Sequence, residues 1–460
     1  MRVPLELAVR AASATLIDGD TAPATLRVST DTRAIERGDT FVALRGERFD
    51  GHDFVAEAAQ RGAALLVVDR PEARLPGLPT LLVADTRLAY MALAGAARSL
   101  FANRVLAITG SAGKTTTKAF LATLLAAKHG DRVLSAPGNE NNEIGVSKLL
   151  LRASNDAHDV LVVEMGARHY GDIAALVAIA RPHFGILTNV GEAHLEIMGS
   201  HERLEETKWA LFSQGARPIL NADDPVSRRR AASLEQRVHW FAARENASVD
   251  PSLLGELTSL TMLAGDRLFH CAGERREEHR VEVRVPGLHN RANLAAAIAG
   301  AIELGVPIAD VLPELGRLQL PEGRYDRIPL GGIRLIYDAY NANASSMMAA
   351  LDAFAAETAA RRIAVLASMA ELGDESKTLH ERVGAHAAAR VDTLLVRGEY
   401  ASDLARGAQS AGLGLEQIVL VESNAQAARW LREHVRPQDV VLLKGSRKYK
   451  LEEIVQELRT

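Results

Sequence analysis

The chain carries a single cysteine, Cys271, among 460 residues. That excludes an intrachain disulfide and fits a reducing compartment. An excess of one charge is also missing. Lys and Arg together number 54 against 58 Asp and Glu, for a formal net charge of −4. A nucleic-acid partner is marked by a basic excess or stripe, and neither is present. Short clusters such as Arg228–Arg230 read as solvated surface. No apolar run reaches the roughly 18 residues of a membrane span. The opening stretch Met1–Ile17 is broken by Glu6 and Arg10, unlike the apolar core of a secretory signal. Internal repeats and low-complexity tracts are absent. The expectation is a soluble cytoplasmic protein, monomeric, without nucleic acid and without membrane insertion.

What is present is ordinary globular material. Hydrophobic residues make up 47% and charged residues 24%, enough for more than one core. At roughly 150 residues per domain, three domains are the central expectation. Short apolar runs alternate with amphipathic stretches. Ala63–Val68, Val105–Thr109, Val160–Glu164, Gly185–Asn189, Arg334–Asp338, Ile363–Ala367, Thr393–Val396 and Val440–Leu443 read as buried strands. Between them lie helical stretches such as Thr116–Lys128, whose Phe120, Leu121, Leu124 and Leu125 share a face, with Gly130 as the stop. This alternation predicts an α/β protein with parallel sheets covered by helices on both faces. Three blocks follow: a small mixed block over 1–101, a larger one over 102–320, and a strand–helix unit over 321–460 entered through Pro321-Glu322-Gly323.

The sharpest signal is Gly110-Ser111-Ala112-Gly113-Lys114-Thr115-Thr116, placed between a predicted strand and a predicted helix. Glycines at 110 and 113 let the backbone turn so that successive N–H groups face an anion, and the helix N-terminus adds partial positive charge. Lys114 is in reach of β- and γ-phosphates, and the Thr115 hydroxyl suits Mg²⁺. The spacing is G-x-x-G-K-T, shorter than the common phosphate loop. ATP and Mg²⁺ are the expected cofactors. Glu164 ends an apolar strand, where open α/β sheets bind ligands. It reads as a Mg²⁺ carboxylate or as a plain strand-end charge. His194 follows a second strand and reads as a metal ligand or a loop histidine. On its own, Lys208 in Glu205-Glu206-Thr207-Lys208-Trp209 reads as an exposed helix lysine paired with neighbouring glutamates. Asn290 and Asn293 read either as caps of the following Ala-rich helix or as amides facing an adenine edge.

The order of these motifs resembles the Mur ligases, ATP-dependent amide ligases of bacterial cell-wall precursor assembly. The resemblance runs from about Ser29 to Ser446. It implies three α/β domains: a UDP-sugar-binding domain (1–101), a central ATPase domain (102–320) and a C-terminal Rossmann-like domain (321–460) that binds the incoming amine. It implies Thr115, Glu164, His194 and Lys208 as metal-site residues, with Lys208 carbamylated. Trp209-Ala210-Leu211 follows that lysine where the family more often has Gly-Glu-Ile. Gly287-Leu288-His289-Asn290-Arg291-Ala292-Asn293 resembles the family's adenine motif. Arg324, after Gly323, resembles its hinge arginine, placed to reach the γ-phosphate.

Other motifs point within the family. Asp338-Ala339-Tyr340-Asn341-Ala342-Asn343 resembles D-x-Y-N-A-N-P of the branch that adds D-alanyl-D-alanine, with Ala344 in place of the proline. It implies Asp338 at the ribose and Tyr340, Asn341 and Asn343 at substrate. Gly138-Asn139-Glu140-Asn141-Asn142 resembles G-N-x-N-N, implying Asn141 and Asn142 as substrate contacts. Ser29, Thr30, Asp31 and Arg33 resemble the uridine-binding segment, and Lys444 in Lys444-Gly445-Ser446 a residue that helps hold a substrate carboxylate. Ala367 and Ser368 depart from the branch's L-G-D-M. The implied partners are UDP-N-acetylmuramoyl-tripeptide and D-alanyl-D-alanine. The neighbouring branch, which adds the third amino acid, usually carries D-N-P-R, and that string is absent. A folylpolyglutamate-type synthase is disfavoured by the long N-terminal block. A phosphate-loop ATPase that acts as a switch or motor without ligation is the competing class.

Overall fold

The computed structural model describes residues 1–46, 49–191, 195–245, 259–330 and 332–459. A nine-stranded sheet occupies the middle of the chain. Its spatial order is Arg275–Arg280, Arg267–Ala272, Ser259–Ala264, His239–Arg244, Arg217–Asn221, Phe184–Leu187, Arg104–Thr109, Val160–Glu164, Val133–Ser135. From Val133–Ser135 to Ser259–Ala264 every pairing is parallel.

The apolar runs are continuous because both faces are covered. Along one strand, Val105 and Ala107 enter one core while Leu106 and Ile108 enter the other. The second core is closed by the helices Lys114–His129 and Leu288–Glu303, through Phe120, Leu121 and Leu294–Ala301. The first is closed by Thr86–Leu100, Glu143–Arg152 and Asp172–Ala180. Thr86–Leu100 belongs to the N-terminal block in sequence, yet it packs on the central unit. Its buried Arg98 donates to the carbonyls of Ala180 and Arg181, at 2.7 and 2.9 Å, capping the end of the neighbouring helix.

Each of the eight runs read as strands overlaps a strand, with Ala63, Ala64, Thr188, Asn189 and Asp338 falling just outside. The sheets are mixed rather than purely parallel, however. Ser259–Ala264, Arg267–Ala272 and Arg275–Arg280 form an antiparallel meander at one end. Its turns are too short for a parallel crossover, and Gly265 and Gly273 hold the left-handed φ of such turns. The last strand, Arg-Arg-Glu-Glu-His-Arg, has no apolar run to betray it. It is a charged edge, which discourages pairing with another chain.

The N-terminal five-stranded sheet (order Thr15–Ile17, Thr80–Leu82, Leu65–Val68, Thr40–Val42, Val28–Ser29) has one antiparallel pair. So does the C-terminal six-stranded sheet (order Asp326–Leu330, Ile333–Tyr337, Val440–Lys444, Arg362–Ala367, Thr393–Arg397, Ile418–Val421). Among the described residues no helix is long and apolar enough to cross a membrane.

Candidate active site

The strand Arg104–Thr109 runs into the glycine-rich loop, and the helix Lys114–His129 starts from Gly113. Gly110 has φ 146°, and a Cβ there would stand 1.9 Å from the Thr188 hydroxyl. Gly113 has φ 84°, and its Cβ would stand 2.2 Å from Asn293 Oδ1. The loop is clamped from the next strand. Ser111 N donates to the Asn189 carbonyl (3.0 Å), Ala112 N to Asn189 Oδ1 (3.1 Å), and the Thr188 hydroxyl to the Ala112 carbonyl (2.6 Å). Asn221 Nδ2 in turn donates to the Thr188 carbonyl, and Asp224 accepts from Val190 N. This clamp was not singled out from the sequence. The signal for it was a Thr-Asn pair at the end of a strand adjoining the loop strand.

Lys114 curls back so that Nζ donates to the Gly110 carbonyl at 2.7 Å. Burial lowers its pKa, the Arg324 charge adds to that, and Glu164 opposes it. Glu164 is 1% exposed. Its Oε1 accepts from the Thr115 hydroxyl (3.1 Å) and from Asn141 Nδ2 (2.8 Å). Its Oε2 has no hydrogen bond but lies 3.1 Å from the Lys118 ammonium. Register explains the meeting: Glu164 pairs with Ile108, two residues before the loop.

Lys208 contradicts the exposed reading. It is 1% exposed, at the end of the helix His201–Trp209. Its pKa is lowered to about 7, first by burial and then by the Lys114 charge, with Asp172 opposing. The glutamates beside it in sequence point elsewhere. Glu205 pairs with Arg229 and Arg230, and Glu206 accepts from the Tyr170 hydroxyl. His194 lies outside the described residues.

Asn290 and Asn293 are both buried, and neither caps the helix Leu288–Glu303, whose N-cap is Gly287. Asn290 Nδ2 donates to the Pro286 carbonyl (3.0 Å). Asn293 packs on Gly113, so the helix is seated directly against the phosphate loop. Gly113→Ala therefore adds a clash to the cost of a left-handed alanine, about 1–2 kcal/mol. Nucleotide affinity is expected to fall at least about tenfold, read by calorimetric titration of ADP. Wild-type affinity in that variant would remove the loop from the binding site.

Across the hinge, Arg324 stacks over the Tyr340 ring at 4.3 Å, and Gly323 (φ 73°) and Tyr325 (φ 60°) make the bend. Asp338, the residue after the strand Ile333–Tyr337, pairs with Lys444 at the end of the adjacent parallel strand, Oδ2 to Nζ 2.9 Å. Lys444 Nζ also donates to the Asp338 carbonyl at 3.1 Å. Asn343 caps the helix Ala344–Ala355 in a capping box with Ser346. Its Nδ2 lies 3.5 Å from the Ser111 carbonyl, linking this helix to the phosphate loop. Ala344 occupies the first helical position, where a proline is equally at home. Asn341 is exposed, its Oδ1 accepting from Ala342 N. Ser368 keeps a positioning role in its changed motif: its hydroxyl accepts from Tyr400 N at 2.9 Å. His201 pairs with Glu375 and Glu196 N reaches the Glu371 carbonyl, closing the C-terminal unit against the central one.

Two groups stand apart from this cluster. Asn142 caps the helix Glu143–Arg152. Ser29, Asp31 and Arg33 interact with one another at the edge of the N-terminal sheet. Arg33 holds the Asp31 carboxyl down at about 2. Thr30 lies between them in sequence, on the same segment.

Three Mur ligase family models match the chain in order: the family's catalytic domain over residues 27–91, its middle domain over 108–301 and its glutamate ligase domain over 323–447. The chain is 36% identical to a UDP-N-acetylmuramoyl-tripeptide–D-alanyl-D-alanine ligase of Synechocystis sp., covering 94% of this chain and 91% of that protein. It is likewise 36% identical to the ligase of that name from Escherichia coli, covering 94% and 93%. The fold matches the crystal structure of MurF from Acinetobacter baumannii with a TM-score of 0.85 at 29% identity, covering 100% of this chain and 99% of that one. It matches the MurF ligase of Thermotoga maritima in complex with ADP with a TM-score of 0.77 at 28% identity, covering 94% and 97%. A phosphate loop, a buried carboxylate beside it and a stacked hinge arginine thus sit in a chain that resembles these ligases along nearly its whole length, and the chain belongs to the Mur ligase family.

Proposed function

We propose that this chain joins D-alanyl-D-alanine to UDP-N-acetylmuramoyl-tripeptide at the expense of ATP, in cytoplasmic peptidoglycan precursor synthesis. The observation that carries the proposal is the convergence of Lys114, Glu164 and Lys208 at the carboxyl edge of the central sheet, with Arg324 and Tyr340 facing them from the hinge. The relatives' names and the motif Tyr340-Asn341-Ala342-Asn343 select the amine.

An oxygen of the tripeptide carboxylate attacks the γ-phosphorus of ATP, the bond to ADP breaks, and an acyl phosphate forms. The dipeptide amine then attacks the acyl carbon, loses a proton, and phosphate leaves. No bond to the enzyme is needed. Lys114 and Arg324 offset charge on the phosphoryl oxygens. Asn290 and Asn293 hold the adenine side of the nucleotide and Asp338 its ribose. The segment Ser29–Arg33 holds the uridine, and Asn141 and Asn142 contact the sugar–peptide.

The donor set fits Mg²⁺. Thr115 and Glu164 offer oxygen ligands, and Glu164 Oε2, paired with the Lys118 ammonium at 3.1 Å, accepts no hydrogen bond. Bound there, Mg²⁺ would supply charge neutralisation at the phosphates. Lys208, carbamylated, and His194 would complete the metal site. The chain acts as a monomer of three domains, 1–101, 102–320 and 321–460, with the last choosing the amine.

A phosphate-release assay that crosses candidate nucleotide precursors with candidate amines tests the reading. Release is expected only when the nucleotide tripeptide and D-alanyl-D-alanine are both present. Release from ATP without an acceptor would replace the ligase reading with that of a simple ATPase.

A further inference from the structure

Lys118 lies one turn beyond Lys114 on the same helix, outside the phosphate-loop motif. It is 5% exposed, and its neighbours along the helix, Thr116, Thr117, Phe120 and Leu121, are buried too. A buried ammonium must have partners for its donors. Nζ donates to the carbonyls of Ala136 (2.9 Å) and Gly138 (2.6 Å) and lies 3.1 Å from Glu164 Oε2. Those carbonyls belong to the loop that leads to Asn141. Asn141 Nδ2 donates to the other oxygen of the same carboxylate, at 2.8 Å. The Asn141 carbonyl accepts from Gly166 N, just past Glu164, also at 2.8 Å. Glu164, Lys118, the backbone 136–141 and the Asn141 amide therefore close a ring.

We propose that Lys118 is a positioning residue for the ligation: its ammonium ties the loop 136–142 to the Glu164 carboxylate, so that the loop and the carboxylate are set as one unit. The inference rests on the reading of Glu164 as a metal carboxylate and of Asn141 and Asn142 as substrate contacts. A flexible four-carbon stem suits the task, because its point charge serves two carbonyls and one carboxylate at once. The phosphate loop is held separately, by Thr188 and Asn189. Losing Lys118 should thus loosen the substrate loop and leave the phosphate loop standing.

The test uses full-length wild type, Lys118→Met and Lys118→Gln. Methionine keeps the apolar stem and removes the charge and the donors. Cleavage by a Glu-specific protease after Glu140, in the middle of the loop, is expected to be at least about tenfold faster in K118M, while cleavage at other sites keeps its wild-type rate. The KM for the nucleotide tripeptide is expected to rise at least about tenfold, with KM for ATP within about twofold of wild type. Unchanged cleavage after Glu140 overturns the proposal. So does an equal rise in both KM values, which marks a general structural role. Should K118M fail to fold, K118Q, which retains a donor for one carbonyl, decides by the same two measurements at smaller size. Lys114→Ala, run alongside, separates the two ideas. Full activity in K114A refutes the site reading, whereas a dead K114A beside a wild-type-like K118M refutes only this one.

Discussion

Lys114→Ala is expected to lower ligation about a hundredfold to a thousandfold, corresponding to the loss of one preorganised partner for transition-state charge, about 2.7–4 kcal/mol. The geometry isolates the effect. The Lys114 stem is only partly buried, and its ammonium makes one hydrogen bond, to the Gly110 carbonyl. The clamp from Thr188 and Asn189 holds the loop without it. Thermal unfolding should therefore change little while turnover collapses. Arg324 also bears on this position, but its guanidinium is stacked on Tyr340 across the hinge, so it does not fill the vacated place. The measurement is phosphate release with ATP, nucleotide tripeptide and dipeptide all saturating. A variant that keeps more than about a tenth of wild-type turnover, a cost of only ~1.4 kcal/mol, would show that the loop does not carry the chemistry.

The phosphate loop was legible because its requirements are local. Glycines at 110 and 113 are dictated by backbone angles and by the approach of Thr188 and Asn293, and the adjoining strand and helix announce themselves by apolar pattern. Glu164 was legible for the same reason, as a charge that ends an apolar run. Lys208 was not. Its neighbours in sequence are glutamates, which suggest a solvated pair, and only the tertiary packing of the helix His201–Trp209 buries the side chain. Lys118 is a similar case. It follows a motif lysine closely enough to read as part of the same basic patch, although it is buried and stands one helical turn before the core residue Leu121. The pairing of Asp338 with Lys444 joins residues 106 apart and depends on two strands being parallel neighbours, a relation no local pattern contains. The meander after Ser259 escaped because its outer strand is charged and edges carry no alternating apolar signal.

Lys208→Ala is expected to reduce ligation at least about a hundredfold, and short carboxylic acids such as formate or acetate to restore it at least about tenfold. The physical starting point is a lysine that cannot stay comfortably charged. Burial, with the Lys114 charge added, brings its pKa down to about 7. At neutral pH a far larger share of it is free amine than the less than about 0.1% of an ordinary lysine. A free amine adds to CO₂: the N–C bond forms, a proton is released, and a carbamate with one negative charge results. That charge suits a hard cation and relieves the repulsion from Lys114. Alanine leaves a space in which a small carboxylate can stand for the carbamate. The sign with pH follows. In CO₂-free buffer the unmodified lysine has a folded pKa near 7 and an unfolded value of 10.5. Between these values the unfolded chain binds more protons, so stability rises with pH across that window and is lowest below it. Bicarbonate should raise stability across that window and extend the rise below pH 7, because the carbamate forms with loss of a proton that the unfolded lysine still carries. Thermal melts across pH 6–10, with and without bicarbonate, read the slope, and intact-mass measurement of the native protein reads the added CO₂. Full activity in K208A, or a K208A variant that short acids leave inactive while K208M melts like wild type, would remove the carbamate from the site.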